Sequence, residues 1–316
     1  MANLIFTLES GRKLGVTTSG NPAAERIVVF CHPAPGSSTF DPDPTVSAAR
    51  EVHILAFDRP GYGSSDPLPV DEWPSVTGPA DDIAEYLRAM MRDEAASGIV
   101  RRRTIGIVGW SAGGRTALAF AARHPDLVDR VAIVATPAPN EAVQWIDPPL
   151  QAMSDQLATL PPDAAVAELT GMLAGQVDAV RAADDAGDVP LALLGEAPVD
   201  EAALARPGAR DRLGRMLREA YRQGAHGVAA DILSYSARPW GFDPAGVAAK
   251  TLIVNGRADP LAGQAHAEWY RQALPDARVE LVADVGHMVI FPSWGTVLTN
   301  LAPAPGEVAP GEVVPG

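Results

Sequence analysis

Lysine is almost absent from this chain of 316 residues: of its 25 basic side chains only Lys13 and Lys250 are lysines, and they face 39 acidic ones for a net charge of −14. A surface with that balance repels phosphate backbones and anionic lipid, which argues against nucleic-acid binding and against a polybasic membrane anchor. Cys31 is the sole cysteine. An intramolecular disulfide and a thiolate metal cluster are therefore excluded. Long apolar runs are lacking too, since runs such as those near 27–31 and 131–135 fall far short of the roughly 20 residues that span a bilayer. The opening MANLIFTLESGRKLGVTTSG has neither a basic segment leading into a long apolar run nor a small-residue cleavage site, so the expectation is a mature cytoplasmic chain that begins directly in strands. What is present, 47% hydrophobic residues against 20% charged, suffices for a substantial globular core.

Through the first 136 residues short β-branched runs alternate with helical patterns. IVVF at 27–30, VHILAF at 52–57, TIGIVGW at 104–110 and RVAIVA at 130–135 predict strands, and their continuous apolarity predicts central parallel strands covered on both faces. LIFTL and KLGVTTS predict an antiparallel pair at the sheet edge. Between the strands, 80–95 places Ile83, Leu87 and Met90 or Met91 at helical spacing, and 112–123 puts Leu118 and Ala122 on one stripe before Pro125. Repeated units of this kind predict an α/β fold with right-handed crossovers.

The rhythm breaks after Ala135. Residues 137–245 hold proline pairs at 148–149 and 161–162, Ala-rich helical stretches at 164–183 and 201–222, and 16 acidic residues against 8 arginines. It resumes with a strand at 249–256, a helix at about 263–274, a strand at 279–283 and a last helix at about 288–300. This predicts a core made of 1–136 and 246–302 with an inserted helical lid at 137–245; a separate, non-catalytic helical domain is the alternative. The ending repeats APGEV at 304–308 and 309–313, and 303–316 reads as a flexible tail.

Gly109-Trp110-Ser111-Ala112-Gly113-Gly114 follows an apolar run and opens a helical pattern. At a strand-to-helix junction this spacing forces the serine into a strained turn, with small residues on either side preventing clashes, and presents its hydroxyl above the sheet. Ser111 is thus a candidate nucleophile.

Five segments, HPAPGSS at 32–38, FDRPGYGSSD at 57–66, GWSAGG at 109–114, NGRADP at 255–260 and GH at 286–287, together resemble the lid-bearing, esterase-like branch of the α/β-hydrolase family, over nearly the whole chain. The resemblance implies a mostly parallel central sheet and a nucleophile followed in chain order by an acid and a histidine. His287, in the loop after the last strand, takes the place of the base. His53 lies within a strand, His124 at a helix end, and His226 and His266 in helices, His266 on a face expected to be solvated. Asp259 matches the acid position; Asp284, Glu141 and Asp147 are its competitors. For the oxyanion hole the resemblance implies the backbone N–H groups of Ala112 and Ala34, the latter in His32-Pro33-Ala34-Pro35 where relatives usually read His-Gly-x-Pro. His32 then pins the loop, and Asp58 with Arg59 supplies a supporting polar network.

A serine at the elbow, where epoxide- and halide-processing relatives place aspartate, implies acyl transfer through an acyl-enzyme without a cofactor or metal. The glycines at 61 and 63 lack the spacing of a dinucleotide-binding loop. Trp110, Trp145 and Trp240, with Ile146, Leu150 and Phe242, suggest an apolar substrate site, or else packing between lid and sheet. Arg59 and Arg115 are expected in structural ion pairs. The reading is a small to medium ester or lactone as small-molecule substrate. An aminopeptidase or amidase, a cofactor-free haloperoxidase-like activity and a non-catalytic binding protein remain as alternatives, and no oligomeric partner can be read.

Overall fold

Ile27 to Cys31 and Ile105 to Trp110 are buried at every position, the pattern of strands with both faces covered. In the computed structural model, which describes residues 2–99 and 104–303, these runs lie at the centre of one eight-stranded sheet. The elements in chain order are β1 (Ala2–Thr7), β2 (Lys13–Gly20), β3 (Arg26–Cys31), α1 (Pro44–Ala49), β4 (His53–Phe57), α2 (Gly78–Ala96), β5 (Thr104–Trp110), α3 (Ala112–Arg123) and β6 (Arg130–Val134). An inserted helical region follows, with α4 (Pro148–Leu157), α5 (Pro162–Met172), α6 (Ala174–Ala182), α7 (Glu201–Leu204), α8 (Ala209–Ala220) and α9 (His226–Ser236). The sheet is then completed by β7 (Lys250–Gly256), α10 (Gln264–Ala273), β8 (Ala277–Val282) and α11 (Ile290–Leu301).

Strand order is β1-β2-β4-β3-β5-β6-β7-β8. Among the described strands only β2 runs against its neighbours, pairing antiparallel with both β1 and β4, while the remaining pairs are parallel. All the parallel strands therefore end on one edge, where the loops after Cys31, Phe57, Trp110, Val134, Gly256 and Val282 converge.

Proline near the N-terminus of α2 starts that helix, and its buried stripe of Ala80, Ile83, Ala84 and Leu87 covers one face of the sheet. Each large apolar side chain so buried contributes about 1.5–3 kcal/mol. Helix α3 differs from the single stripe expected, because Gly113 through Ala121 are all buried. It packs against β5 and β6 on one side and α2 on another, so little of its circumference meets water.

The inserted region is more broken than its Ala-rich composition suggests. The stretch 164–183 divides at Leu173, between glycines at 171 and 175 that weaken helix, and 201–222 divides at Pro207-Gly208, where a missing N–H and a left-handed backbone (φ 67°) end α7. Leu213, Met216, Leu217 and Tyr221 of α8 and its C-terminus join one apolar cluster with Phe40, Trp110, Met288 and Phe291. The insertion is thereby seated on the loop edge of the sheet. The tail expected at 303–316 lies, apart from Pro303, outside the described residues.

Candidate active site

Ser111 stands between β5 and α3 with φ 54° and ψ −123°, a backbone that a side-chain-bearing residue adopts only under strain. Close packing holds it there. A Cβ at residue 109 would collide with the backbone of Gly113, and one at residue 113 with the carbonyls of Cys31 and His32. Glycine at both positions lets the turn close and brings the start of α3 against the loop after β3. The Ser111 N–H donates to Val134 O at 2.8 Å. Its hydroxyl caps no helix and has no hydrogen-bond partner among the described residues.

His287 follows β8 and is 2% exposed, with Nδ1 2.8 Å from Asp259 Oδ2. The other oxygen of Asp259 accepts from the Leu261 N–H (2.8 Å) and the Ala262 N–H (3.1 Å), so the loop after β7 fixes the carboxylate before it meets the imidazole. Burial alone pushes the Asp259 carboxyl upward, but the adjacent His287 ring and these amides hold it below its ordinary value. Asp284, Glu141 and Asp147 are all exposed, Asp284 at a left-handed turn. The ring of His287 also lies 6.2 Å from that of Trp110, whose Nε1–H donates to His287 O at 3.1 Å. This ties the histidine loop to the residue next to Ser111. From the insertion, Gly195 approaches so closely that a Cβ there would sit 3.5 Å from His287 Cδ2.

Across the elbow, the N–H groups of Ala34 and Ala112 donate to no protein acceptor among the described residues. His32 is fully buried; its Nδ1–H donates to Pro33 O (2.7 Å) and its Nε2 accepts the Arg59 N–H (3.2 Å). Burial, reinforced by the Arg59 cation, lowers its basicity well below the ordinary imidazole value, so it is neutral and serves as a strut. Arg59 holds the same loop by donating to His32 O and Pro33 O. Asp58 instead accepts from Ser38 N–H (2.7 Å) and Ser64 N–H (3.0 Å).

Several side chains lie in surroundings other than those expected. His266 is buried rather than solvated, because its Nδ1 accepts the Ala138 N–H at 3.0 Å where α10 meets the start of the insertion. Arg115 has no ion pair among the described residues. Its guanidinium is buried among the rings of Tyr235, Trp145 and Trp240, at 4.3, 5.2 and 5.3 Å, and donates to Pro137 O. Trp145 and Trp240 thus pack around a cation on α3, and both are half-buried. Trp110 is wholly buried beneath the elbow, and Leu150 is 52% exposed. Trp240 and Phe242 stack on one another against a different apolar cluster from the one that holds Trp110.

Two carboxylates from the insertion escaped the sequence reading. Asp231 on α9 accepts from Arg59 Nη2 (2.6 Å), Arg59 Nε and Tyr62 Oη (2.9 Å). Its signal was available, as the lone acid in the helical stretch GVAADILSYS. Asp200 is completely buried and accepts from the Gly286 N–H (2.8 Å) and the Met288 N–H (3.2 Å), the amides flanking His287. In sequence it precedes EAAL and looks like an ordinary helix start. No group of three or more metal-ligating side chains occurs among the described residues, and no helix there is long and apolar enough to cross a membrane.

With this fold and this elbow, the chain belongs to the alpha/beta hydrolase fold family, whose match runs over residues 26–293. In sequence it is similar to a homoserine O-acetyltransferase of Natronomonas pharaonis, 29% identical over 165 residues, which cover 42% of this chain and 40% of that protein. It is also similar to a pimeloyl-[acyl-carrier protein] methyl ester esterase of Chromobacterium violaceum, 39% identical over 85 residues, 27% of this chain and 26% of that one. The matches therefore span well under half the length of these relatives. In structure it resembles an esterase from Exiguobacterium antarcticum (TM-score 0.66, 17% identity, 96% and 100% of the two chains). An enol-lactonase from Burkholderia xenovorans is similar as well (TM-score 0.58, 17% identity, 94% and 99%). At such identities these likenesses concern the fold.

Proposed function

We propose that the protein is a serine hydrolase that cleaves a small to medium apolar carboxylic ester or lactone through an acyl-enzyme. The observation that carries this reading is the buried Asp259–His287 pair at 2.8 Å, set across the loop edge from a serine held at φ 54°. An imidazole whose Nδ1–H is committed to a carboxylate offers Nε2 as a base. In the proposed cycle, Ser111 Oγ turns toward His287 Nε2, gives up its proton and attacks the carbonyl carbon. The developing oxyanion is met by the N–H groups of Ala112 and Ala34, which have no protein acceptor to release. His287 then protonates the leaving alkoxide and activates water to free the acid. Residues 137–245 act as a lid over this centre, on a core of 1–136 and 246–302. The names of the relatives, an acetyltransferase, an ester esterase and a lactonase, all concern acyl groups and support this class of substrate.

The test pairs a fluorophosphonate probe with a screen of short-chain aryl esters, lactones and N-terminal prolyl amides under identical conditions. The expected outcome is labelling of the native protein and not of Ser111→Ala, with turnover of esters or lactones. Absence of labelling together with absence of turnover would overturn the reading, and rapid release of N-terminal residues alone would replace it with a peptidase.

A further inference from the structure

The geometry points to Asp200, a carboxylate contributed by the inserted region, as a positioning residue that sets the His287 loop for catalysis and couples that setting to the seating of the insertion. This inference rests on the serine-hydrolase reading above. Asp200 is 0% exposed, and a single oxygen, Oδ1, accepts both the Gly286 N–H and the Met288 N–H. These N–H groups belong to the residues immediately before and after His287. Its other oxygen accepts the Ala197 N–H (3.1 Å), which ties the carboxylate to its own segment.

The loop is shaped to receive this group. A Cβ at residue 286 would lie 2.8 Å from Asp200 Oδ2 and 3.1 Å from Oδ1, so glycine there makes the approach possible. Asp259 orients the imidazole through Nδ1, and Trp110 holds the His287 carbonyl. Asp200 supplies the remaining constraint by fixing the backbone on both sides of the side chain. Buried amides need acceptors. If the insertion lifted away, both flanking amides would lose theirs, and the histidine would lose its backbone anchor. Seating of the insertion and alignment of the base are then one structural event, so the insertion acts as part of the catalytic apparatus as well as its cover.

The experiment compares Asp200→Ala and Asp200→Asn in the full chain with 4-nitrophenyl butyrate, normalising turnover to active sites titrated by fluorophosphonate. A displaced base lowers kcat while leaving substrate binding nearly intact, and a shift of about 1 Å corresponds to a loss of roughly 100-fold. Asp200→Asn keeps one acceptor oxygen for the two amides while giving up the bond from the Ala197 N–H, so it is expected to recover most of the kcat at some cost in stability. The downfield proton resonance of His287 Nδ1–H should shift or broaden in Asp200→Ala and return in Asp200→Asn. If Asp200→Ala does not fold, Asp200→Ser, whose hydroxyl is too short to reach both amides, replaces it with the same expectations. Unchanged kcat per titrated site together with an unchanged Nδ1–H resonance would overturn the inference. If the native protein neither labels nor hydrolyses, the functional reading fails by itself, while the resonance still tests the placement of His287 by Asp200.

Discussion

Arg59 and Asp231 meet across the junction between sheet and insertion, with Nη2 2.6 Å from Oδ2 and side chains only 5% and 13% exposed. The same guanidinium donates to the carbonyls of His32 and Pro33. Loss of one partner of a buried pair leaves an uncompensated charge and costs about 3–5 kcal/mol. Asp231→Ala is therefore expected to lower the urea midpoint strongly. The double variant Arg59→Met with Asp231→Leu should regain much of that stability but little activity, because the two carbonyls that shape the Ala34 loop remain unheld. Parallel urea melts and ester kinetics check this, and full recovery of activity in the double variant would contradict it.

Ser111→Ala should abolish nearly all turnover while the protein stays folded, since the hydroxyl has no partner among the described residues and adds little to packing. Losses of this type reach roughly 10⁶-fold in kcat, with background hydrolysis persisting. Retention of more than about a tenth of native turnover, measured on the best ester of the screen, would remove Ser111 from the nucleophile role.

Asp259→Asn is expected to cut kcat by orders of magnitude with a smaller effect on binding, because an amide facing Nδ1 favours the wrong tautomer. Stability should follow pH as well. The Asp259 carboxyl is held below its ordinary value of 3.8, so its contribution is complete above that value and is lost as pH falls through the lower folded-state value. Thermal melts of native and Asp259→Asn protein should differ most near neutrality and converge in strong acid. A gap that widened on acidification would reverse the sign of this argument.

Gly113→Ala places a methyl group against the carbonyls of Cys31 and His32. Overpacking of this kind costs about 1–3 kcal/mol, and more where backbone must move. Lower melting temperature and lower ester turnover are both expected, since the start of α3 and the Ala34 loop would be pushed apart. A variant with native stability and native turnover would show that the contact is not needed.

Across aryl esters of two to sixteen acyl carbons, rates should be highest for short to medium chains and should not rise at the micellar threshold. A net charge of −14 opposes adsorption to anionic interfaces, and Gly195 of the insertion lies where a Cβ would touch the His287 ring. Initial rates below and above the threshold decide the matter; activation with preference for the longest chains would indicate a lipase instead.

The architecture was legible because it depends on local patterns. Apolar runs such as TIGIVGW and RVAIVA are short, continuous and β-branched, and they form β5 and β6 within a residue of their expected bounds. GWSAGG declared its turn through glycine spacing at a strand-to-helix junction. The helical insertion was legible as a class of structure but not in detail, since alanine-rich sequence does not state where α5 gives way to α6. Arg115 shows a further limit: a lone arginine on a helix reads as half of an ion pair, and only packing reveals the aromatic rings of Trp145, Tyr235 and Trp240 around it.

By itself the sequence determined the strand-helix rhythm and the strained serine turn, because each follows from neighbours a few residues apart, and its single cysteine excluded an intramolecular disulfide. Tertiary structure decided which carboxylate meets which partner. Asp259 reaches His287 across 28 positions, Asp231 reaches Arg59 across 172, and Asp200 reaches Gly286 across 86. The Asp231 and Asp200 pairings depend on how the insertion folds back over the sheet edge, and that of Asp259 on the pairing of β7 with β8, and in each case burial withdraws water and makes the acceptor answerable to the donors that the chain brings near it.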